Sequence, residues 1–221
     1  MFFKIYEKLL YRHGKQGWWP IKGEYKPRKL SEKDRLEICI GAILTQNTSW
    51  KNVEKAIQEL YAHKLIDLKR LLSIDENQLA KFIRSSGYYR QKAKKLKIFA
   101  KHVLKYDSLS NFFKRKNLRE ELLLLWGIGP ETADSIILYA AEKPVFVVDA
   151  YTKRIMSRFG VCKPDVEYHK LQDFFHKHLP RSHKLFNEYH ALLVEHAKVN
   201  CTKKNPACLD CPISKSCQKV L

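Results

Sequence analysis

The sequence predicts an all-α protein, and three observations support that fold class. Apolar residues recur at intervals of three and four along most of the chain, which is the spacing of one helix face. Only eight residues are glycine and eight are proline, so few positions would interrupt a helix. The alternation of apolar and polar residues that marks a half-buried strand is scarce. We therefore expect about nine or ten helices and no β-sheet.

The helical segments follow one another along the whole chain. The N-terminal stretch MFFKIYEKLLYRHGKQ predicts a short amphipathic basic helix. Helical spacing then defines nine further segments: Leu36–Leu44, Val53–Leu60, Leu79–Ile83, Ala93–Val103, Leu118–Leu125, Ser135–Ala141, Lys153–Phe159, Leu171–His178 and Leu185–Val199. The run VFVV at 145–148 is rich in β-branched residues but short, so we expect a buried connector there.

The stretch 122–151 predicts a helix, a Gly-x-Gly turn and a second helix. Gly127, Ile128 and Gly129 form the turn, and Pro130 suits the first position of the second helix. The backbone N–H groups around the two glycines lack intrahelical partners and could bind an anion such as a DNA phosphate. A helix hairpin that binds nothing is the alternative, because Gly-x-Gly alone is a weak motif.

The chain is strongly basic. Lysine and arginine number 42 against 23 aspartates and glutamates, which gives a net charge of +19. A field of that sign favours polyanions, although a generic basic protein or a membrane-surface binder has the same composition. No apolar run is long enough to span a bilayer, and the N-terminus lacks the apolar core of a signal peptide. We therefore expect a cytoplasmic protein that binds nucleic acid.

Four of the six cysteines close the chain as Cys201-x6-Cys208-x2-Cys211-x5-Cys217. Disulfides are not expected in a chain without a secretory signal, so four clustered thiols predict a metal site. Both a tetrahedral zinc ion and an iron–sulfur cluster take four thiolates, and the residues alone do not separate the two.

Together these motifs resemble the helix-hairpin-helix DNA glycosylases of the endonuclease III type. The resemblance rests on the cysteine ending, on the hairpin LWGIGPETAD and on Val148-Asp149 about twenty residues after it. The segments GAILTQNTSW and SSGYYRQKAKKL are also similar to the DNA-facing helix and loop of that family. The match extends from about Glu32 to Cys217 and keeps the family's order.

The resemblance implies a fold, a cofactor and a partner. Residues 31–143 would form a six-helix lobe that carries the hairpin, and residues 1–30 with 144–221 would form a second helical lobe. A 4Fe-4S cluster rather than zinc would occupy the loop 201–217. The partner would be damaged double-stranded DNA, with the lesion bound between the lobes. We expect the protein to act as a monomer associated with the nucleoid.

Asp149 is the candidate catalytic residue. An aspartate directly before a helix is ordinarily a cap, but the matching carboxylate of this family is catalytic. Breaking a nucleoside C1′–N bond builds positive charge on the sugar, as in glycoside cleavage. A carboxylate can stabilise that charge and guide or deprotonate the attacking water.

Glu131 departs from the pattern of the bifunctional members, which carry a lysine two residues after the second hairpin glycine. That lysine attacks the sugar and forms a Schiff base. A carboxylate cannot form an imine, and a helix-start acid that favours the dipole is the structural alternative. We therefore expect a monofunctional glycosylase that leaves an intact abasic site.

Aromatic residues predict the base pocket. Trp18, Trp19 and Pro20 form a WWP segment, and Trp50 follows the LTQ motif. Such residues are often core or surface anchors, but they also resemble the aromatics that stack on the lesion in the 3-methyladenine branch of this superfamily. A π-rich slot prefers a cationic base such as 3-methyladenine to a neutral purine.

The resemblance also assigns Gln46 and Tyr88 to the wedge that fills the space left by a flipped nucleotide. A helix-end hydrogen bond and a packed loop aromatic are the structural alternatives. Some of the lysines that follow Tyr88 should face phosphates, and others should only form part of a solvated, charged helix face. These lysines are Lys92, Lys94, Lys95 and Lys97, and the cluster loop adds Lys203 and Lys204.

Three other functions stay open at this point. The enzyme could remove thymine or uracil opposite guanine, or it could remove oxidised pyrimidines. A non-catalytic helix-hairpin-helix DNA-binding protein is the alternative of another class, and Asp149 together with the aromatic residues argues against it.

Overall fold

A computed structural model describes residues 2–26 and 28–219 of the chain. The α-helices of these residues are α1 (Phe2–His13), α2 (Glu32–Leu44), α3 (Trp50–Ala62), α4 (Leu68–Ser73), α5 (Glu76–Phe82), α6 (Tyr89–Val103), α7 (Leu109–Phe113), α8 (Leu118–Leu123), α9 (Pro130–Ser135), α10 (Ala150–Phe159), α11 (Tyr168–His178) and α12 (His183–Val199). Within the same residues the only β pairing is one isolated bridge, which confirms the predicted all-α class.

The helices fall into two compact units. One unit comprises Met1–Trp18 and Lys143–Leu221, and the other comprises Trp19–Glu142. The unit of α2 to α9 is built around α2, in which every residue from Leu36 to Leu44 is buried. Directly after α9 the chain continues into a π-helical turn, Ile136–Ala140, whose five residues are also buried.

Side-chain caps set the starts of several helices in this unit. At α2, Ser31 Oγ accepts a hydrogen bond from Asp34 N–H, and the Asp34 carboxylate accepts one from Ser31 N–H. Asp67, Asp75 and Ser108 likewise cap α4, α5 and α7. Because α4 and α7 have only six and five residues, their apolar pattern is too short for periodicity to detect, and the sequence analysis missed both.

The other unit contains α1 and α10 to α12 around an aromatic core. The rings of Phe146 and Phe175 stack with centroids 3.8 Å apart, and the ring of Tyr189 meets both edge-on. Tyr189 also donates a hydrogen bond to the carbonyl of Phe2 in α1 over 3.1 Å. The amphipathic N-terminal helix is therefore confirmed, as is the connector 145–148, because Phe146 to Val148 are buried.

The segment after Trp18 belongs to the unit of α2 to α9, whereas the prediction began this lobe at Ser31. The indole of Trp19 packs against Gly41, where an added Cβ would lie 3.1 Å from the ring. Lys22 N–H donates to the buried carboxylate of Glu37 over 2.8 Å. These contacts hold the segment, and the sequence pattern carries no sign of them. No helix of residues 2–26 and 28–219 is both long and apolar enough to cross a membrane.

Candidate active site

Asp149 lies at the N-cap of α10, directly after the buried connector. Its Oδ1 accepts a hydrogen bond from Thr152 N–H over 2.6 Å, which is the capping interaction expected of an aspartate at this position. The side chain remains about 13% exposed, so one edge of the carboxylate is still accessible. Asp149 therefore caps its helix and is still able to meet a ligand.

His190 is the second member of this site, and the sequence analysis missed it. Its Nε2 lies 3.5 Å from Asp149 Oδ2, and its side chain is buried in α12. Burial alone would raise the pKa of Asp149, but the hydrogen bonds from His190 and Thr152 outweigh burial and hold that pKa below its ordinary value. Asp149 is therefore ionised at neutral pH, as stabilisation of a developing cation requires.

Trp18 belongs to the same unit as this acid–imidazole pair. Its ring meets the ring of His190 edge-on, with centroids 6.0 Å apart. His190 thus contacts both the candidate catalytic residue and one of the predicted pocket aromatics. The available sequence signal was a histidine on the apolar face of α12, next to the buried Tyr189.

The remaining pocket aromatics lie together in the other unit. The rings of Trp19 and Trp50 meet edge-on with centroids 5.1 Å apart, and Tyr139 meets Trp19 at 5.0 Å. Trp19 and Pro20 are buried, whereas Trp50 is only half-buried and can offer part of its ring to a ligand. Trp19 is thus held mainly by its neighbours in the core, and Trp50 is the accessible member of the pair.

Gln46 lies just beyond α2 and connects it to the hairpin. Its Nε2 donates to the carbonyl of Gly127 over 3.0 Å and to Thr132 Oγ1 over 2.9 Å. Its Oε1 accepts a hydrogen bond from Lys95 Nζ over 2.5 Å. The amide is therefore fixed by three partners, all within the unit of α2 to α9.

Tyr88 lies at an exposed position directly before α6. It precedes α6 with φ at 45°, in the left-handed region that non-glycine residues rarely adopt, and its side chain is 66% exposed. Gly87 before it also has a positive φ, of 68°. Strained backbone beside an exposed aromatic is a frequent feature of binding sites.

The hairpin turn joins α8 to α9. Gly127 has φ at 79°, and an added Cβ would lie 2.3 Å from Cε of Lys95, so only glycine fits there. Ile128 N–H donates to the carbonyl of Leu125 over 3.0 Å, and the Ile128 side chain is buried. Ile128 thus holds the turn together, which leaves the two flanking glycines as the candidate phosphate-binding positions.

A partly buried ion pair connects the two hairpin helices. Arg119 of α8 donates from Nε and from one terminal nitrogen to the two carboxylate oxygens of Asp134 in α9, over 2.7 and 3.1 Å. Such a bidentate pair restricts both position and orientation. Glu131 lies in the first turn of α9 and is exposed.

The lysines that follow Tyr88 do not form a uniform phosphate-facing row. Lys92 is buried and donates to the carbonyls of Leu44 and Ser86, and burial lowers its pKa to about 8. Lys97 donates to the carbonyl of Leu72 over 2.7 Å. Lys94 lies over the ring of Trp126, with Nζ 4.8 Å from the centroid.

The four C-terminal cysteines line one cavity in the unit of α1 and α10 to α12. Cys201 Sγ lies 3.4 Å from Arg158 Nη1, and Cys211 Sγ lies 3.5 Å from His196 Nε2. Within the described residues no group of three or more histidine, cysteine, aspartate or glutamate side chains is arranged to hold a metal ion.

Two arginines of α10 hold the beginning of this loop. Arg154 donates to the carbonyls of Ala197 and Cys201, and Arg158 donates to those of Thr202 and Lys203 over 2.7 and 2.9 Å. Lys203 and Lys204 are both exposed on this loop. Of the two other cysteines, Cys39 is buried in α2, whereas Cys162 is only half-buried.

Comparisons with known proteins match nearly the whole chain. The chain is 44% identical to MJ1434 of Methanocaldococcus jannaschii, a protein provisionally named a DNA repair glycosylase, over 98% of this chain and 96% of that protein. It is 29% identical to endonuclease III of Thermotoga maritima, over 87% and 86% of the two chains.

Solved structures agree with these matches. The Helicobacter pylori 3-methyladenine DNA glycosylase MagIII, bound to 1,N6-ethenoadenine, superposes with a TM-score of 0.74 at 32% identity, over 89% of this chain and 96% of that one. An endonuclease III–DNA complex superposes with a TM-score of 0.79 at 20% identity, over 99% and 94% of the chains, and so supports the fold.

The family profile gives the assignment. The profile of HhH-GPD superfamily base excision DNA repair proteins matches residues 40–181, which include the hairpin and Asp149. This range covers more than half of the chain. The chain therefore belongs to the HhH-GPD superfamily of base excision DNA repair proteins.

Proposed function

We propose that this protein is a DNA glycosylase of base excision repair that removes alkylated purines, foremost 3-methyladenine, from duplex DNA. The observation that carries the substrate proposal is the aromatic pair of Trp19 and Trp50, in which Trp50 keeps part of its ring accessible. Pro20 lines a cavity together with Trp50. A purine that carries positive charge gains cation–π energy from such rings, and a neutral purine does not. The 32% identity to a 3-methyladenine DNA glycosylase supports the same substrate class.

In this proposal Asp149 acts on the sugar of the flipped nucleotide. As the C1′–N bond breaks, positive charge grows on the sugar, and the carboxylate of Asp149 stabilises it. One oxygen is fixed by Thr152 N–H, and the other lies beside His190. The carboxylate also orients the attacking water and accepts its proton. An alkylated purine is already a good leaving group, so the reaction does not require a strong general acid.

We also propose that the enzyme is monofunctional. Imine formation with the abasic sugar needs an amine, and the position of the nucleophilic lysine is Glu131. Water would then be the only nucleophile, and the product would be an intact abasic site.

Gln46 and Tyr88 would open the duplex. Gln46 lies beside the hairpin and Tyr88 projects from the start of α6, both in the unit of α2 to α9. Tyr88 offers an exposed ring that can stack on the bases next to a flipped nucleotide. The N–H groups of Gly127 and Gly129 would bind a phosphate of the same duplex.

The C-terminal loop fits a 4Fe-4S cluster held by its four cysteines. Four thiolates are the ligand set of such a cluster, and all four line one cavity. A single zinc ion also takes four thiolates, and the similarity to endonuclease III supports the cluster over zinc. When bound, the cluster would supply a cross-link for the loop and a centre that can exchange an electron. Arg158 would donate a hydrogen bond to the Cys201 thiolate.

A panel of DNA duplexes tests the substrate proposal. Purified protein should release free 3-methyladenine from methylated DNA faster than it releases thymine from a T·G mismatch or an oxidised pyrimidine. Preferential release of thymine or of oxidised pyrimidine would contradict the alkylated-purine proposal. Release of no base from any duplex would favour a non-catalytic DNA-binding protein.

Borohydride trapping tests the monofunctional proposal on the same duplexes. The backbone should stay intact until alkali is added, and no covalent protein–DNA adduct should accumulate. A trapped adduct at the level of endonuclease III, run in parallel as a positive control, would contradict this proposal.

A further inference from the structure

One contact of Trp50 is independent of its packing against Trp19. Its indole Nε1–H donates a hydrogen bond to Glu54 Oε1 over 2.9 Å, one turn further along α3. Trp50 and Glu54 line the same cavity of about 400 Å³, together with Pro20. This size is typical of a site for a small ligand.

Glu54 brings a carboxylate to this cavity, and Lys22 lines the same cavity without forming an ion pair with Glu54. Within residues 2–26 and 28–219, no lysine, arginine or histidine side chain forms an ion pair with Glu54. The chain carries a net charge of +19, so an unpaired carboxylate beside an aromatic ring is unusual in this protein.

Two neighbouring groups are consistent with this charge. Burial, followed by the nearby Glu54 carboxylate, raises the pKa of Tyr25. The second acid of the cavity, Glu37, differs from Glu54 because its carboxylate is buried and accepts hydrogen bonds from Lys22 N–H and from the Tyr61 hydroxyl. Burial raises the pKa of Glu37, whose carboxylate is already occupied by these two donors, whereas Glu54 is only half-buried.

We propose that Glu54 is a specificity-determining residue that makes Trp50 a stronger platform for positively charged bases. A carboxylate that accepts the indole N–H polarises the ring and increases the negative potential of its face. The carboxylate also attracts a cation on the ring directly, because the site is partly shielded from water. Both effects favour a methylated, cationic purine and leave a neutral purine nearly unaffected. The inference rests on the proposed function, since it requires that a lesion base stacks on Trp50.

The test compares a cationic with a neutral substrate under single-turnover conditions. Methylated duplex DNA supplies 3-methyladenine, and a duplex with 1,N6-ethenoadenine supplies a neutral purine lesion. Glu54→Gln keeps an acceptor of the same length but removes the charge. We expect the ratio of the two excision rates to fall by about 2- to 30-fold, through loss of 3-methyladenine release. Glu59→Gln removes an exposed charge from the same helix and should leave the ratio unchanged.

A double-mutant cycle separates charge from structure. In a Trp50→Phe background the N–H donor is absent, so the part of the Glu54→Gln effect that arises from ring polarisation should disappear and only the direct attraction of the carboxylate should remain. A purely structural role of Glu54 would lower both excision rates together and leave their ratio unchanged. An unchanged ratio in Glu54→Gln, with thermal stability preserved, would overturn the inference. If Glu54→Gln is unstable, Trp50→Phe provides the test instead. A Trp50→Phe protein with the same ratio of the two excision rates as wild type would also overturn the inference.

The outcome also distinguishes the two levels of the proposal. If wild-type protein releases no alkylated purine, the proposed function fails. If wild-type protein releases alkylated purines and the Glu54→Gln ratio equals that of wild type, only the role of Glu54 fails.

Discussion

Asp149 illustrates how one side chain serves structure and chemistry together. Its Oδ1 caps α10 through Thr152 N–H, and its Oδ2 faces His190 at 3.5 Å. An asparagine retains a capping oxygen but carries no charge. The two roles can therefore be separated by a single substitution.

Asp149→Asn should preserve the fold and the binding of lesion DNA but lose most of the excision rate. Loss of a general base typically lowers the rate by about 100- to 10,000-fold. The measurement is single-turnover base release at saturating enzyme. The exposed Asp165→Asn in the same unit is the matched control and should keep the wild-type rate. Near-wild-type release by Asp149→Asn would exclude a catalytic carboxylate at this position.

In the proposed mechanism His190 would act through Asp149 as a positioning residue. Burial raises the pKa of Asp149, and the contacts from His190 and Thr152 more than reverse that effect. Because the folded-state pKa is lowered, this carboxylate stabilises the fold above its unfolded pKa, and the contribution is lost as pH falls through the folded pKa. Without His190, fewer contacts counteract the effect of burial, so the pKa of Asp149 should rise.

His190→Phe should therefore shift the acid limb of the pH–rate profile to higher pH, with the carboxylate protonated where the wild type is still ionised. His190→Gln retains a donor near the position of Nε2 and should shift the limb less. The measurement is the single-turnover rate across the acid range for the three proteins. Identical acid limbs would show that His190 does not tune Asp149.

At the scale of secondary-structure elements, the hairpin depends on the packing of α6 over its turn. Gly127 adopts φ of 79°, and the side chain of Lys95 in α6 occupies the space where a Cβ would lie. Gly129 has φ of −91°, and an added Cβ there would meet no heavy atom within 4 Å. The two glycines of one motif therefore differ in what they tolerate.

Gly127→Ala should destabilise the protein by about 1–2 kcal/mol through its left-handed backbone alone, and the clash with Lys95 should add to this cost. Gly129→Ala is the matched control and should cost less than Gly127→Ala, because alanine fits the backbone there and is only a poorer N-cap residue than glycine. Urea denaturation followed by circular dichroism measures both. Equal stabilities of the two variants would contradict the assigned hairpin geometry.

Helix α10 connects the two functional regions of its unit. Asp149 caps its first turn, and Arg154 and Arg158 donate hydrogen bonds to the carbonyls at the start of the cysteine loop.

For the molecule as a whole, the proposed cluster would cross-link a loop that has little regular structure. Protein purified without oxygen should be yellow-brown and contain about four irons per chain. Cys208→Ser should lose iron and visible absorbance, whereas Cys162→Ser, outside the cavity, should keep both. Stoichiometric zinc without iron or sulfide would contradict the cluster.

The sequence by itself determined features that depend on local pattern. Apolar periodicity predicted nine helical segments after the N-terminal helix, and each overlaps an observed helix or helical turn. Gly-x-Gly followed by proline predicted the hairpin, because backbone freedom and a missing N–H act within a few residues. The position of Asp149 before a helix and the spacing of the four cysteines were readable for the same reason.

Tertiary structure alone decided which of these local features meet. His190 lies beside Asp149 although the two are far apart in the chain, and Lys92 is buried although its neighbours suggest a solvated face. The contacts of Trp19 likewise place the start of the α2-to-α9 unit at Trp19 and not at Ser31. Periodicity identifies the apolar face of a helix but not the face it packs against, so contacts between distant residues require the folded chain.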